Sequence, residues 1–209
     1  IVLGLIASTT ATGCLYPNFV LESAAFGLCI SIAGAIGGVD GLRPLDPRVK
    51  PILTALACIP ILALGVYQPH PSLPFIGMTR LTIIYILLIP FAIAVPANAV
   101  NMMDVFNGSM TGTCGIASAF LIVCMIFAGR IEAAALGAGL LGSLIAFHRF
   151  NRYRAKVFAG DLGDLSVGAA IGAIAIIGRV EVAAVVALMP HIMNAFYSLT
   201  TLGGPHERR

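Results

Sequence analysis

Charge is what this chain has least of. Only 10% of its 209 residues are Asp, Glu, Lys or Arg, against 59% hydrophobic, and mean hydropathy is +0.99. A soluble domain carries about 25% charged residues, so the polar surface here is too small to cover a water-facing globule. The same apolar excess rules out disorder. Trp is absent. The five Cys (Cys14, Cys29, Cys58, Cys114, Cys124) form no CxxC pair and have no His at zinc-like spacing, which excludes a zinc finger and a disulfide frame and leaves small buried hydrophobes. No basic n-region and no A-x-A pattern opens the chain, which makes a signal peptide a poor reading of its first residues. Neither internal repeat nor low-complexity linker divides it, and residues 1–209 read as one membrane-embedded domain. It begins at Ile1 inside an apolar run and stops at Arg209 just after Gly203-Gly204-Pro205; the expectation is a fragment truncated at both ends.

What is present is long apolar sequence. A membrane-crossing helix needs about 20 mostly apolar residues. Runs of that kind between Pro, Gly and charge clusters fall at 1–15, 20–39, 51–66, 81–97, 109–128, 131–148, 164–178 and 181–200. The predicted fold class is therefore all-α, a polytopic bundle of about eight transmembrane helices, with a small hairpin in 67–80. Gly and Ala crowd several segments, as in Gly27–Gly38 and Gly137–Gly142, and small residues let helix backbones approach closely in lipid.

Alternation assigns the connecting loops to two sides. One side carries Arg43, Arg48, Lys50, Arg149, Arg152, Arg154, Lys156, Arg208 and Arg209, nine of the twelve basic residues; the other has Arg80, Arg130 and Arg179. By the positive-inside rule the first side is cytoplasmic. All five Asp residues (Asp40, Asp46, Asp104, Asp161, Asp164) fall on it as well. Carboxylates interleaved with Lys and Arg at one membrane face point to a metal ion and an anionic substrate, because Mg2+ takes oxygen ligands and shares them with phosphates. Simple counter-charges on a basic face are the plainer reading, and for Asp46 and Asp164 the two stand level.

Two stretches carry chemistry. In Asn98-Ala-Val-Asn101-Met-Met-Asp104-Val-Phe-Asn107-Gly108, a polar residue recurs every third position at the end of a span, which lines them along one helix face. Asn offers both an acceptor and a donor, so it can bind a metal or read a base edge. Capping or interhelical bonding explains one such Asn and explains three poorly. In Lys156-Val157-Phe158-Ala159-Gly160-Asp161-Leu162-Gly163-Asp164, an aromatic residue and a glycine-flanked Asp precede a new apolar helix; Asp161 there either caps the helix or faces a cation.

Together these stretches resemble the polyprenyl-phosphate N-acetylhexosamine-1-phosphate transferase family. Val39-Asp40 with Lys50-Pro51, and Met189-Pro190 through Tyr197-Ser198-Leu199, match it too. The resemblance is nearer the eukaryotic and archaeal dolichyl-phosphate branch than the phospho-MurNAc-pentapeptide branch. It implies ten membrane helices in the whole protein, a cytoplasmic active face, and transfer of GlcNAc-1-phosphate from UDP-GlcNAc to a polyprenyl or dolichyl phosphate with release of UMP. It implies Mg2+ (Mn2+ as the alternative) on Asn101 and Asp161, Lys50 at the pyrophosphate, and Asp40 at the lipid phosphate. Phe158 would stack on uracil, Asn107 would contact its edge, and Asn98 and Asp104 would join the substrate site. His206 and Arg208 lie in Pro205-His206-Glu207-Arg208, which resembles the last cytoplasmic loop of the eukaryotic branch, where basic residues hold pyrophosphate and the N-acetyl sugar. The implied partners are a UDP-N-acetylhexosamine, a polyprenyl phosphate and membrane lipids, with a homodimer as a candidate assembly and no nucleic acid. The implied location is the plasma membrane or the endoplasmic reticulum. One departure stands out: the family has two adjacent Asp where this chain has Asp40-Gly41.

The rival class is a secondary transporter or channel, which predicts polar residues at the bilayer midplane and repeat symmetry. The enzyme reading demands that Asn101 and Asp161 meet; a separation beyond about 15 Å would forbid a shared cation.

Overall fold

Backbone in lipid has no water to bond with, so apolar segments of this kind fold locally into helices. The computed structural model describes residues 1–69, 72–73, 77–78 and 82–201. Its helices are α1 (Val2–Leu15), α2 (Val20–Leu42), α3 (Val49–Ala55), α4 (Ile59–Ala63), α5 (Thr82–Met103), α6 (Ser109–Phe127), α7 (Ile131–Asn151), α8 (Gly160–Gly178), α9 (Glu181–Ala187) and α10 (Met189–Thr201). A short hairpin pairs β1 (Ser72–Leu73) antiparallel with β2 (Gly77–Met78), inside the 67–80 stretch where the sequence predicts one.

Every predicted apolar segment falls on helix, yet not all are long enough to cross a bilayer. Among the described residues five helices meet the length and apolarity of a span; the bent pair α9–α10 has the composition of a broken span or a re-entrant loop, and α1 and the α3–α4 stretch are shorter. Proline accounts for the breaks. Pro60 sits in the first turn of α4 and Pro190 opens α10, whose axis turns 60° from α9, because proline has no N–H to continue the preceding helix. In α5, Pro90 and Pro96 are both accommodated within one helix.

The helices also run past the apolar sequence. α2 continues through Asp40, α5 through Asn98 and Asn101, and α8 begins at Gly160, four residues before the predicted 164. Hydropathy stops at the first polar residue, whereas the i→i−4 backbone ladder does not. The polar side chains therefore ride on rigid helix ends.

α8 is the central post. Every residue from Gly163 to Gly178 is buried, mainly between α2 and α5. Gly168 lies directly on the Pro96–Ala97 backbone of α5, a close approach that small residues permit. Large apolar side chains on the outer helices face outward, among them Leu87, Phe91, Ile116 and Phe127, as a lipid-facing surface requires. This is a multi-pass, all-α membrane protein.

Candidate active site

Four helix ends meet at one end of the bundle. Asp40, in the last turn of α2, is 4% exposed. Its Oδ1 accepts the backbone N–H of Leu45 at 2.7 Å, folding the α2–α3 loop back, and its Oδ2 pairs with Lys50 Nζ at 2.5 Å. Lys50, at the start of α3, also donates to Asp161 Oδ1 of α8 at 2.6 Å and to Asn101 Oδ1 of α5 at 3.0 Å. An ammonium has three protons, and all three are committed. Asn101 Nδ2 in turn donates to Asp161 Oδ1 at 2.7 Å and, more weakly, to Asp164 Oδ2 at 3.4 Å. Asn101 and Asp161 are thus in direct contact, far inside the limit for a shared cation.

Two glycines set this geometry. Gly37 lies on the Asp161 carbonyl with no room for a methyl group, so α2 and α8 meet where Asp40 and Asp161 must face Lys50. Gly160 takes φ +62 at the entry to α8, a conformation glycine adopts without steric cost.

The remaining predicted residues are placed as follows. Asn98 spends both amide protons structurally, on Thr54 Oγ1 and on the Ala94 carbonyl, each at 2.8 Å, tying α5 to α3. Asp104 follows α5 directly and its Oδ1 is buried without a partner among the described residues. Burial pushes its carboxyl above the ordinary carboxylate range, against the pull of a backbone hydrogen bond from Met110. Asn107 is exposed in the α5–α6 loop, and Phe158 is 54% exposed in the loop before α8; neither has a hydrogen bond to the Lys50 cluster among the described residues. His206 and Arg208 lie outside the described residues.

Some participants are absent from the sequence reading. Asn151 is 0% exposed; it accepts from Thr111 and donates to the Val157 carbonyl at 3.1 Å, pinning the loop that carries Phe158. Its setting among Arg149, Arg152 and Arg154 disguised it as surface. His148 bonds Thr111 Oγ1 through Nδ1 at 2.7 Å. Glu181, in the first turn of α9, accepts from the Tyr85 hydroxyl at 2.6 Å and links α9 to α5. His191 of α10 makes an interhelical bond to Thr113 of α6 at 2.9 Å. Asp46 bonds only its own turn, at Arg48 N.

Beside the cluster runs a groove of about 790 Å3, walled by α3, α5 and α10. Lys50, Asn98 and Asn101 form its polar end; Ile52, Phe91, Val95, Phe196 and Leu199 line the rest. Arg130 and Arg179 line a different pocket, with Glu22 and Glu132, at the other ends of the helices.

The donors suit a hard cation. Lys50 Nζ already rests between Asn101 Oδ1 and Asp161 Oδ1, so these oxygens converge on a position that positive charge occupies, and oxygen donors of this kind match Mg2+. Among the described residues no three His, Cys, Asp or Glu side chains gather closely enough to hold a metal by themselves; the Asn101 amide oxygen is the further donor at hand.

A helical membrane protein with a Lys50–carboxylate cluster opening onto an apolar groove is the class that the geometry defines. The sequence matches Glycosyl transferase family 4 over residues 23–179, an interval containing Asp40, Lys50, Asn101 and Asp161, and the chain belongs to that family. It is 32% identical over 169 residues to a Saccharolobus solfataricus protein provisionally named UDP-N-acetylglucosamine–dolichyl-phosphate N-acetylglucosaminephosphotransferase, covering 79% of this chain and 52% of the relative. A Sulfolobus acidocaldarius protein of the same provisional name is 30% identical over 78% of this chain and 51% of its own. The phospho-N-acetylmuramoyl-pentapeptide-transferase of Shouchella clausii is 33% identical over 72% of this chain and 45% of its own. The chain spans about half the length of the curated relatives it matches.

Proposed function

We propose that the protein transfers N-acetylglucosamine-1-phosphate from UDP-GlcNAc to a polyprenyl phosphate of dolichyl type, releasing UMP at the cytoplasmic face. The observation that carries this reading is the Lys50 ammonium held by Asp40, Asn101 and Asp161 at the polar end of an apolar groove. A lipid phosphate seated there would lay its isoprenoid chain along Val95, Phe91 and Phe196 and its anionic head beside Lys50. Bilayer-embedded transporters gather their polar groups at midplane; here they sit on helix ends.

Phosphoryl transfer leaves a protein positioning and charge neutralisation to supply. An oxygen of the lipid phosphate attacks the sugar-linked phosphorus in line, and the bond to the UMP oxygen breaks. Asp40, fixed by Leu45 N and Lys50, positions the attacking phosphate. Lys50, with His206 and Arg208, offsets charge on the pyrophosphate. Phe158 is free to stack on uracil, with Asn107 at its edge and Asn98 and Asp104 behind. Mg2+, with Mn2+ as substitute, would be held by Asn101 and Asp161 and would neutralise the donor pyrophosphate. The nine-to-three basic bias supports a cytosolic site, in a plasma membrane or endoplasmic reticulum, with a homodimer as the candidate assembly.

Membranes carrying the full-length protein, given labelled UDP-GlcNAc and polyprenyl phosphate, should yield labelled lipid and stoichiometric UMP. Labelled lipid formed only from a UDP-muramyl-peptide donor would reassign the substrate, and none from either donor would overturn the reading.

A further inference from the structure

Two carboxylates at this end of the bundle have a buried oxygen without a partner among the described residues, Asp104 and Asp164; Asp164 is the one that shares a helix face with Asp161 and touches Asn101. It lies one turn after Asp161 on the same face of α8 and is 3% exposed. Its Oδ2 receives a single long hydrogen bond, from Asn101 at 3.4 Å, and its Oδ1 has no partner among the described residues. It cannot cap α8, because it is the fifth residue of that helix and capping side chains act from the residue before it. No described Lys or Arg pairs with it; the described ion pairs are those of Lys50 with Asp40 and Asp161, which together with Asn101 use up the ammonium. Asp40 is followed by Gly41, so α2 brings a single carboxylate to this end of the bundle, its Glu22 lying in the other pocket. A buried charge in this state is costly unless a cation or further donors complete it.

We propose that Asp164 is an oxygen ligand of the divalent cation, completing with Asn101 and Asp161 a three-residue set drawn from α5 and α8. The proposal rests on the cation reading above. It mixes two carboxylates with an amide, which suits a hard, oxygen-seeking ion, and it gives the unpartnered Oδ1 its missing positive neighbour.

The test uses the full-length protein in detergent without substrate. Mn2+ binding is read by electron paramagnetic resonance and thermal unfolding is followed in EDTA and in MgCl2. Asp164→Asn should weaken Mn2+ binding at least about tenfold, the loss typical of even indirect disturbance of a metal site. In EDTA the variant should melt no lower than the unsubstituted protein, since an amide of the same size replaces a carboxyl whose Oδ1 has no partner among the described residues, and it should gain less from Mg2+. A purely structural role would lower the melting temperature in both buffers. Mn2+ affinity within twofold of the parent, while Asp161→Asn abolishes binding, overturns the role of Asp164 and leaves the cation reading standing. No Mn2+ binding by the parent overturns both. Asp164→Ser is scored alongside, and if both neutral variants fail to fold in EDTA the proposal also fails, because the charge would then be needed without any cation.

Discussion

Lys50 shows how much one side chain organises here. Its three protons bind three helices to α3, so removing it unties the site and strands Asp40, which has no other cationic partner among the described residues. Breaking a buried pair from one side costs about 3–5 kcal/mol; Lys50 keeps some water contact, with 15% side-chain exposure, which places Lys50→Ala near the lower figure in a thermal melt and should also weaken UDP-sugar binding by calorimetry. An unchanged affinity would remove Lys50 from the pyrophosphate. Asp161→Asn keeps the shape and loses the charge; removal of one preorganised charged contact lowers rates about 100- to 1000-fold, so UMP release should nearly vanish. Retention of more than about a tenth would take Asp161 out of the cation's coordination. At this scale the sequence was legible: Asn101 and Asp161, 60 positions apart, meet at 2.7 Å. Asp164 was not, since a carboxylate next to a solvated loop and one enclosed in a bundle look alike in one dimension.

Helices place those side chains by touching at glycine. The contact of Gly37 with the Asp161 carbonyl decides the spacing between α2 and α8, and therefore whether Asp40 and Asp161 can share one ammonium. Gly37→Ala should destabilise by about 1–3 kcal/mol, the usual cost of overpacking, and should lower transfer activity more than stability. Gly142→Ala on α7 adds the same methyl group to open space and should be neutral or slightly stabilising; equal effects of the two in melting and activity assays would contradict the contact argument. Element type was readable from apolar runs, and element ends were not. α9 and α10 form one continuous apolar segment in sequence, yet they bend by 60°, and that bend is what lets α10 wall the groove with Ile192 and Phe196.

The molecule as a whole has two unlike ends, one rich in Asp and basic residues, the other with Arg130 and Arg179 beside Glu22 and Glu132. Orientation is tested by replacing exposed Cys14 and part-exposed Cys124 with Ser, leaving the buried Cys29, Cys58 and Cys114. Tyr153→Cys, 82% exposed in the segment between α7 and α8, should react with a membrane-impermeant maleimide only in inside-out vesicles. Ala128→Cys, in the α6–α7 turn, should react only in right-side-out ones. The reverse pattern would turn the site away from cytosolic nucleotide sugars.

Hydropathy alone determined that this chain is a helical membrane protein, because apolar backbone in lipid has few ways to satisfy its hydrogen bonds. The positions of Asn98, Asn101, Asp104 and Asp161 likewise singled them out as candidates, since polar groups beside lipid are costly unless they are partnered. Tertiary structure alone decided which polar groups are partnered: that Asn98 holds Thr54, that Lys50 spends every proton, and that Asp164 is left with an open oxygen. Partnership depends on distances between helices, and those follow from packing at Gly37 and Gly168, contacts between residues remote in sequence.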